Sequence, residues 1–232
     1  MTLTEIAQYA GEKVGKTDAD TITFLQKAAS LAYRRVWDFA PWRETVTNST
    51  YSVGTNRTIT LGTNVETPLS VAYNDTEVDP IDLATIVSQD PGLLDDARTG
   101  DPDTYHFTGR NSSGVAQLNL YPRLATSGTI PLRVVEKLKC ITRSNYVVDF
   151  PPSTDALGDE LRLPHVHHLV LALTHADALE RERQYTKAQV ITQGANSDLA
   201  AMANYELSQV GGVKQITPQS LGELTIEEMF SA

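Results

Sequence analysis

The pattern of apolar and polar positions predicts two helices at the start of the chain. The first extends from residue 3 to residue 14, with apolar residues at every third or fourth position. The second begins at Thr17-Asp-Ala-Asp20, where side-chain oxygens can accept hydrogen bonds from the first-turn amides, and it ends before Pro41. Its apolar stripe consists of Ile22, Leu25, Ala28, Ala29, Ala32, Val36 and Phe39. We therefore expect two amphipathic helices, each burying one face.

From residue 44 onward the apolar period shortens to two residues, which predicts β-strands. The strand-like segments are residues 50–53, 58–61, 69–73, 77–78, 104–107, 116–121 and 130–136. We expect the first two to form a hairpin through residues 54–57, and a tight turn at Asn74-Asp75 to join the next two. The last two are expected to face each other across residues 122–129. This pattern predicts about six or seven strands in an antiparallel sheet or small sandwich.

One long helix is predicted near the C-terminus. It follows an extended loop, residues 142–162, in which Pro151-Pro152 favours an extended backbone. Pro164 is placed in the first turn of the helix, and Gly211-Gly212 ends it. The apolar stripe is interrupted near Gln193-Gly194, so we expect a kink or a break there.

Taken together, these elements predict an α+β fold. Residues 1–43 and 163–211 form a helical body with one long C-terminal helix. A β-rich domain with loops, residues 44–162, is inserted into this body as an antiparallel sheet or small sandwich. Residues 213–232 are expected to leave the body as an extended C-terminal arm.

The charge of the chain limits the classes of function. Its 19 Lys and Arg and 29 Asp and Glu give a formal net charge of −10. A protein that grips nucleic acid neutralises phosphates with Lys and Arg, so tight DNA binding is not expected. The apolar fraction of 41% is typical of a globular protein. No apolar run approaches the roughly 20 residues of a membrane span, so no membrane partner is expected.

Cys140 and two tryptophans are interpreted as core residues. Cys140 is the only cysteine, and it lies in a strand-like run, residues 133–141, which favours packing over a reactive thiol. Trp37 and Trp42 flank the end of the second helix. An aromatic platform for a ligand is the alternative, but two tryptophans beside a helix end more often anchor that end in the core.

Four histidines near the start of the long helix are candidate metal ligands. They are His165, His167, His168 and His175. At this spacing three of them could share one helix face, with Asp177 or Glu180 nearby, and neutral imidazoles can bind Zn²⁺. The metalloprotease motif, with two histidines four residues apart and an adjacent Glu, is absent. We therefore expect partly buried or interface histidines, with no metal and no cofactor.

The sequence shows no catalytic constellation. The acidic pairs Asp95-Asp96 and Glu227-Glu228 are typical of solvated carboxylates rather than of acid–base pairs. The run from Glu180 to Lys187 mixes both signs of charge along a helix, which suits ion pairing within or between subunits. We expect the protein not to be an enzyme and to have no catalytic or cofactor-binding residues.

The C-terminal arm is the candidate partner-binding segment. Its apolar residues are Leu221, Leu224, Ile226, Met229 and Phe230. Burying one such side chain contributes about 1.5–3 kcal/mol, while ordering one residue costs about 1.5 kcal/mol. One arm would therefore bind weakly, and many arms acting together in a ring would bind tightly. Folding back of the arm onto its own body is the alternative.

Four features follow one another in a characteristic order. They are paired helices ending at Trp37 to Trp42, the strand entry Gly100-Asp-Pro-Asp-Thr-Tyr105, the hairpin edge Leu120-Tyr-Pro122, and a helix from Leu163-Pro-His to Arg183. In this order the chain, over residues 1–210, resembles the head-to-tail adaptor (connector) family of tailed bacteriophages. The long loop from Arg143 to Arg162 departs from that pattern.

The resemblance implies a structural virion protein. Members of this family form a ring, commonly a dodecamer, between the portal protein above and a tail or nozzle protein below, and the ring extends the DNA ejection channel. Their arms often reach the portal, which implies portal binding by residues 213–232 here. The implied location is the neck of the virion, after assembly in the host cytoplasm. Twelve copies with a charge of −10 carry −120 in total, and an acidic channel wall would let DNA pass without specific binding.

Two alternatives remain open from the sequence. A related tail-completion or tube protein would have the same fold and a different neighbour. A metal-dependent hydrolase would use the histidine cluster, and stoichiometric zinc that is lost with those histidines would favour it.

Overall fold

The computed structural model describes residues 1–40, 42–95, 97–125 and 131–210, with side chains as far as residue 206. The C-terminal arm, residues 213–232, lies outside the described residues. The chain divides into two compact units. Within the described residues, the helical unit comprises residues 1–44 and 140–210, and the sheet unit comprises residues 45–139.

Thirteen regular elements follow in chain order within the described residues. They are α1 (Leu3–Lys13), α2 (Ala19–Phe39), β1 (Val46–Tyr51), β2 (Thr58–Thr60), β3 (Val65–Tyr73), β4 (Thr76–Pro80), α3 (Leu83–Gln89), β5 (Thr104–Arg110), β6 (Ala116–Tyr121), β7 (Leu132–Leu138), α4 (Thr154–Gly158), α5 (His167–Arg181) and α6 (Tyr185–Val210). Short 3-10 turns occur at Arg43–Thr45, Pro91–Leu94 and Pro164–Val166. None of the described helices is both long enough and apolar enough to cross a membrane.

The two N-terminal helices are confirmed, and their ends have local causes. Thr2 and Glu5 form a capping box at the start of α1. Asp18 accepts a hydrogen bond from the Thr21 amide at the start of α2. At the other end of α2, the Trp42 indole donates a hydrogen bond to the Val36 carbonyl at 2.7 Å. This bond satisfies one carbonyl of the last helical turn.

The helical unit is built around contacts of α1 and α2 with α5, and α6 packs mainly against α5. Trp37, Trp42 and Cys140 are all buried, which confirms that they are core residues. Tyr33 joins α2 to the segment after the sheet unit. Its hydroxyl donates to the Ile141 carbonyl at 3.1 Å and accepts from the Arg162 amide at 3.1 Å. Residues 140–162 are thereby tied to the helices of this unit.

The single long C-terminal helix predicted from the sequence is wrong. Two helices, α5 and α6, meet at residues 182–184, where Arg183 has a left-handed backbone with φ of 60°. The predicted break at Gln193-Gly194 does not occur, because both residues lie within α6. Residues 180–187 include no buried side chain, so no core contact holds the helix straight between Leu179 and Ala188.

The predicted small antiparallel sheet or sandwich is also wrong. The sheet unit contains one seven-stranded sheet in the order β1-β7-β3-β4-β5-β6-β2, and this sheet curls into a half-barrel. β4 and β5 are parallel, with Asp79 opposite Thr104, so the sheet is mixed. With 46% helix and 26% strand, the chain is a mixed α/β structure rather than a helical body with a small inserted sheet.

Two predicted hairpins are absent from the described strands. β1 pairs with β7 and β2 pairs with β6, so the first two strands do not pair with each other. β6 and β7 are likewise separated in the sheet by three other strands. The turn between β3 and β4 is confirmed, because Asn74 and Asp75 adopt left-handed conformations with φ of 51° and 58°. Asn and Asp tolerate this conformation better than other non-glycine residues.

The concave core of the sheet unit is apolar. Its buried residues include Val53, Ile59, Leu61, Val65, Val71, Val78, Leu118, Leu120, Leu132 and Val134. Alternate residues of β7 contribute to the buried side, in the order Leu132, Val134, Glu136 and Leu138. One of these four is therefore a carboxylate.

Candidate functional site

The four histidines have different surroundings. His165 stacks edge-on against Trp42, with ring centroids 5.7 Å apart, and its Nδ1 is 3.8 Å from Glu44 Oε1. Nδ1 of His167 lies 3.4 Å from the Met1 amino group. His168 is exposed on α5. His175 is half-buried near Lys13, two turns further along the helix.

The histidines do not converge on one ligand position. Burial, followed by the charge of the Met1 amino group, lowers the pKa of His167. Burial, followed by the charge of Lys13, lowers the pKa of His175. Both rings are therefore mainly neutral at pH 7. Among the described residues, no three His, Cys, Asp or Glu side chains are grouped closely enough to hold a metal ion.

Asp177, the carboxylate suggested as a further ligand, is half-buried on α5. Burial, followed by the charge of Glu180, raises its pKa to about 6, against the opposing effect of Arg35. A raised pKa of this kind can accompany acid–base chemistry. Here the shift arises from burial and from the charges of Glu180 and Arg35, and Asp177 belongs to no group of three metal-binding side chains among the described residues. We interpret Asp177 as a structural carboxylate that lowers the stability of the fold when it is ionised.

Sequence reasoning missed a buried polar cluster in the sheet unit. Glu136 on β7 is fully buried, and both of its carboxylate oxygens accept hydrogen bonds from β1. Ser49 Oγ donates at 2.5 Å, and the Tyr51 hydroxyl donates to the other oxygen. Tyr51 also accepts a hydrogen bond from the Gly62 amide at 2.9 Å. Burial, followed by the hydrogen bond to Glu136, raises the pKa of Tyr51 to about 12.

The cluster suits structural cohesion better than catalysis. Each carboxylate oxygen of Glu136 already has a hydroxyl donor, so the buried charge is compensated. The three side chains join β1, an edge strand, to β7. The signal was present in the sequence, because Glu136 occupies an apolar position of an alternating strand.

An acidic segment forms a second feature that sequence reasoning missed. Residues 75–103 contain nine Asp and Glu and a single basic residue, Arg98. Among the described residues of this segment, Asp75 forms an ion pair with Arg133 at 2.7 Å, and Asp90 forms one with Arg98 at 2.6 Å. The pairing of β4 with β5 brings Asp79 beside Asp103, because the Asp79 amide donates a hydrogen bond to the Asp103 carbonyl at 2.9 Å. The exposed acids of this surface include Glu77, Asp79, Asp101 and Asp103.

The outer face of α6 is exposed and has few charged residues. We define it by Val190, Gly194, Ser197, Ala201 and Tyr205, which recur at helical spacing and are all exposed. Only Lys187, Asp198 and Glu206 are charged in this 26-residue helix. Val190 is 65% exposed and Tyr205 is 66% exposed. The exposed side of a helix in a monomer is normally charged or polar, so this face is suited to contact with another chain.

The predicted partner-binding residues Leu221, Leu224, Ile226, Met229 and Phe230 lie outside the described residues. The structure therefore leaves portal binding by the arm as a prediction from the sequence. No protein-family model matches this chain, and no curated protein matches it with significant similarity. The resemblance to the phage adaptor family thus stays a prediction as well.

Proposed function

We propose that the protein is a structural subunit of a bacteriophage neck, a head-to-tail adaptor whose copies form a ring between the portal and the tail. The single observation that best supports this proposal is the exposed outer face of α6, a helix with only three charged residues. A ring subunit needs a surface that neighbouring copies cover, and this face provides one on a rigid helix.

The small residues of this face favour close contact with a neighbour. Gly194 has no side chain, and those of Ser197 and Ala201 are short, so another backbone can approach α6 closely. Val190 and Tyr205 lie toward the two ends of the face and present apolar area. An interface of this type is stabilised by the burial of apolar surface, and the desolvation of charged groups costs it little free energy.

The acidic segment supports the channel part of the proposal. Exposed carboxylates of β4 and of the residues before β5 repel phosphates, so such a surface suits the wall of a channel through which DNA slides. The C-terminal arm supports the portal-binding part of the proposal through its sequence. Its five apolar residues serve as the contact with the portal, and many copies acting together make that contact tight.

Multi-angle light scattering tests the ring directly. We expect the purified chain to assemble into a ring, either alone or when mixed with the portal ring of the same phage. A chain that remains monomeric and does not bind the portal would contradict the proposal. Binding to a tail protein without any binding to the portal would favour the tail-completion alternative instead.

A pair of matched variants tests the interface. Ser197→Arg places a large charge on the outer face of α6, and we expect it to prevent assembly while leaving the helical circular dichroism unchanged. Gln189→Arg introduces the same charge at an exposed position on another side of the same helix and serves as the control. Equal assembly of the two variants would exclude this face from the interface.

A further inference from the structure

A groove in the helical unit combines an apolar floor with a cationic rim. It lies where the end of α1 meets α5 and the first turns of α6, and its volume is about 620 Å³. Val14, Leu179 and Ile191 line it with partly or fully buried apolar surface, and Val190 lies beside them. Lys13 and Lys187 are exposed at its edges.

The chemistry of the groove selects an acidic amphipathic peptide. Val190 is 65% exposed, so the apolar floor extends to the surface. Covering it would therefore contribute favourable hydrophobic free energy. The two lysine ammonium groups favour carboxylates on whatever covers it. Within a chain of net charge −10, a cation-rimmed apolar groove is a local exception to the overall charge.

The C-terminal arm has the complementary pattern. Residues 221–230 contain five large apolar residues and three glutamates, Glu223, Glu227 and Glu228. No Lys or Arg occurs after Lys214. We propose that the groove between α1, α5 and α6 binds residues 221–230 of the same chain, with apolar side chains on its floor and glutamates beside Lys13 and Lys187.

The length of the chain permits this contact within one molecule. Val190 and Val210 are 20 residues apart on α6, which corresponds to about 30 Å along the helix. The 16 residues from Val210 to Ile226 span at most about 55 Å when extended. The segment around Ile226 can therefore return to the level of Val190 with length to spare. Because both parts belong to one chain, the contact needs no second molecule.

This inference goes beyond the proposed function, since it concerns the isolated chain and requires neither a ring nor a portal. It also predicts that any partner of the arm competes with the groove for the same apolar residues, and that a neighbouring subunit on the outer face of α6 competes with the arm for Val190. The arm would then be held on its own subunit until a partner with higher affinity displaces it.

Disulfide trapping in the full-length chain tests the proposal. A Val190→Cys/Ile226→Cys double variant is oxidised gently at low protein concentration, and the products are resolved by non-reducing electrophoresis and peptide mass spectrometry. The matched control is Ser197→Cys/Ile226→Cys, because Ser197 is exposed on the same helix about 10 Å away. Buried Cys140 is retained in both variants. We expect the intramolecular disulfide to form about tenfold faster at position 190 than at position 197.

Charge reversal provides the second measurement. Lys187→Glu in the trapping variant should slow the reaction at position 190 by about threefold, because it removes one of the two cations on the rim. Lys27→Glu, at an exposed position on α2 outside the groove, makes the same charge change and should leave the rate unaltered. Equal rates at positions 190 and 197, or disulfide-linked dimers in place of the intramolecular product, would overturn the proposal. These experiments contain no portal, so their failure would leave the proposed function unaffected.

Discussion

The hydroxyl of Tyr51 on β1 donates a hydrogen bond to the buried carboxylate of Glu136 on β7. The two residues are 85 positions apart in the chain, yet they lie on neighbouring strands of the sheet. The Glu136 charge is compensated only if β1 stays in register with β7, since Ser49 on the same strand supplies the second donor. The cluster therefore favours one register of an edge strand over its alternatives.

We expect Tyr51→Phe to lower the free energy of unfolding by about 1.5–3 kcal/mol, because a buried carboxylate oxygen loses its donor. Urea denaturation followed by circular dichroism measures the change. Tyr105→Phe is the control in the same sheet, since the Tyr105 hydroxyl bonds to no described residue, and it should cost clearly less. Equal costs for the two variants would mean that the bond to Glu136 contributes little.

Asp177→Asn is expected to stabilise the protein in a pH-dependent manner. The pKa of Asp177 in the folded chain is about 6, above its ordinary value of 3.8. Between these values the folded state binds more protons than the unfolded state, so stability falls as the pH rises from about 4 to about 6. At pH 7 the substitution should raise the free energy of unfolding by about 1–2 kcal/mol, a range that allows for the partial solvation of the side chain.

The pH profile distinguishes this effect from a general gain in stability. At pH 4 and below, Asp177 is neutral in the folded state, and most of the difference between Asp177→Asn and the original chain should disappear. Asp198→Asn on α6 is the exposed control. A constant stabilisation from pH 4 to pH 8 would exclude the titration of Asp177 as its cause.

Arg183→Gly should leave stability unchanged or raise it by up to about 1 kcal/mol. Arg183 has a φ of 60° between α5 and α6, and glycine adopts this conformation without the steric cost of a Cβ. Gln189→Gly, at an exposed position inside α6, should instead cost about 1 kcal/mol. Thermal denaturation compares the two, and a larger loss at Arg183 than at Gln189 would argue against a strained break at this position.

Glu77→Lys combined with Asp79→Lys is expected to create measurable DNA binding. The change removes two negative charges and adds two positive ones, a net change of +4 on an exposed acidic surface, and lysines there can neutralise phosphates. Fluorescence anisotropy with a labelled duplex should show binding at low salt that is lost at higher salt, whereas the original chain should not bind. Glu12→Lys with Asp20→Lys makes the same charge change on the helical unit and should bind more weakly. Equal binding by both variants would show that only the total charge matters.

Local sequence signals predicted the parts of the fold that neighbouring residues control. The start of α2 follows from the cap at Asp18, within the predicted Thr17–Asp20 entry, and the turn between β3 and β4 follows from Asn74-Asp75. The burial of Trp37 and Trp42 was also predicted, since bulky apolar rings beside a helix end have few alternatives to the core. Each of these signals acts over a few residues.

The candidate site was less accessible to sequence reasoning. The four histidines were identified from their spacing, but their separate neighbours, such as Glu44 for His165 and Met1 for His167, depend on distant parts of the chain. The groove beside α6 requires the break at residues 182–184, which turns α6 so that its first residues meet the end of α1. The sequence pattern predicted a different position for that break.

Residue order alone was enough to specify most of the segments that form helices or strands, the start of α2, the turn at Asn74-Asp75, and the acidic character of the chain. The pairing of β1 with β7, the parallel run of β4 and β5, and the meeting of Glu136 with Ser49 and Tyr51 became visible only in three dimensions. This division follows from the range of the forces involved. Propensities, caps and turns act between residues a few positions apart, whereas strand pairing is chosen by the burial of the whole apolar surface among many arrangements of similar local energy.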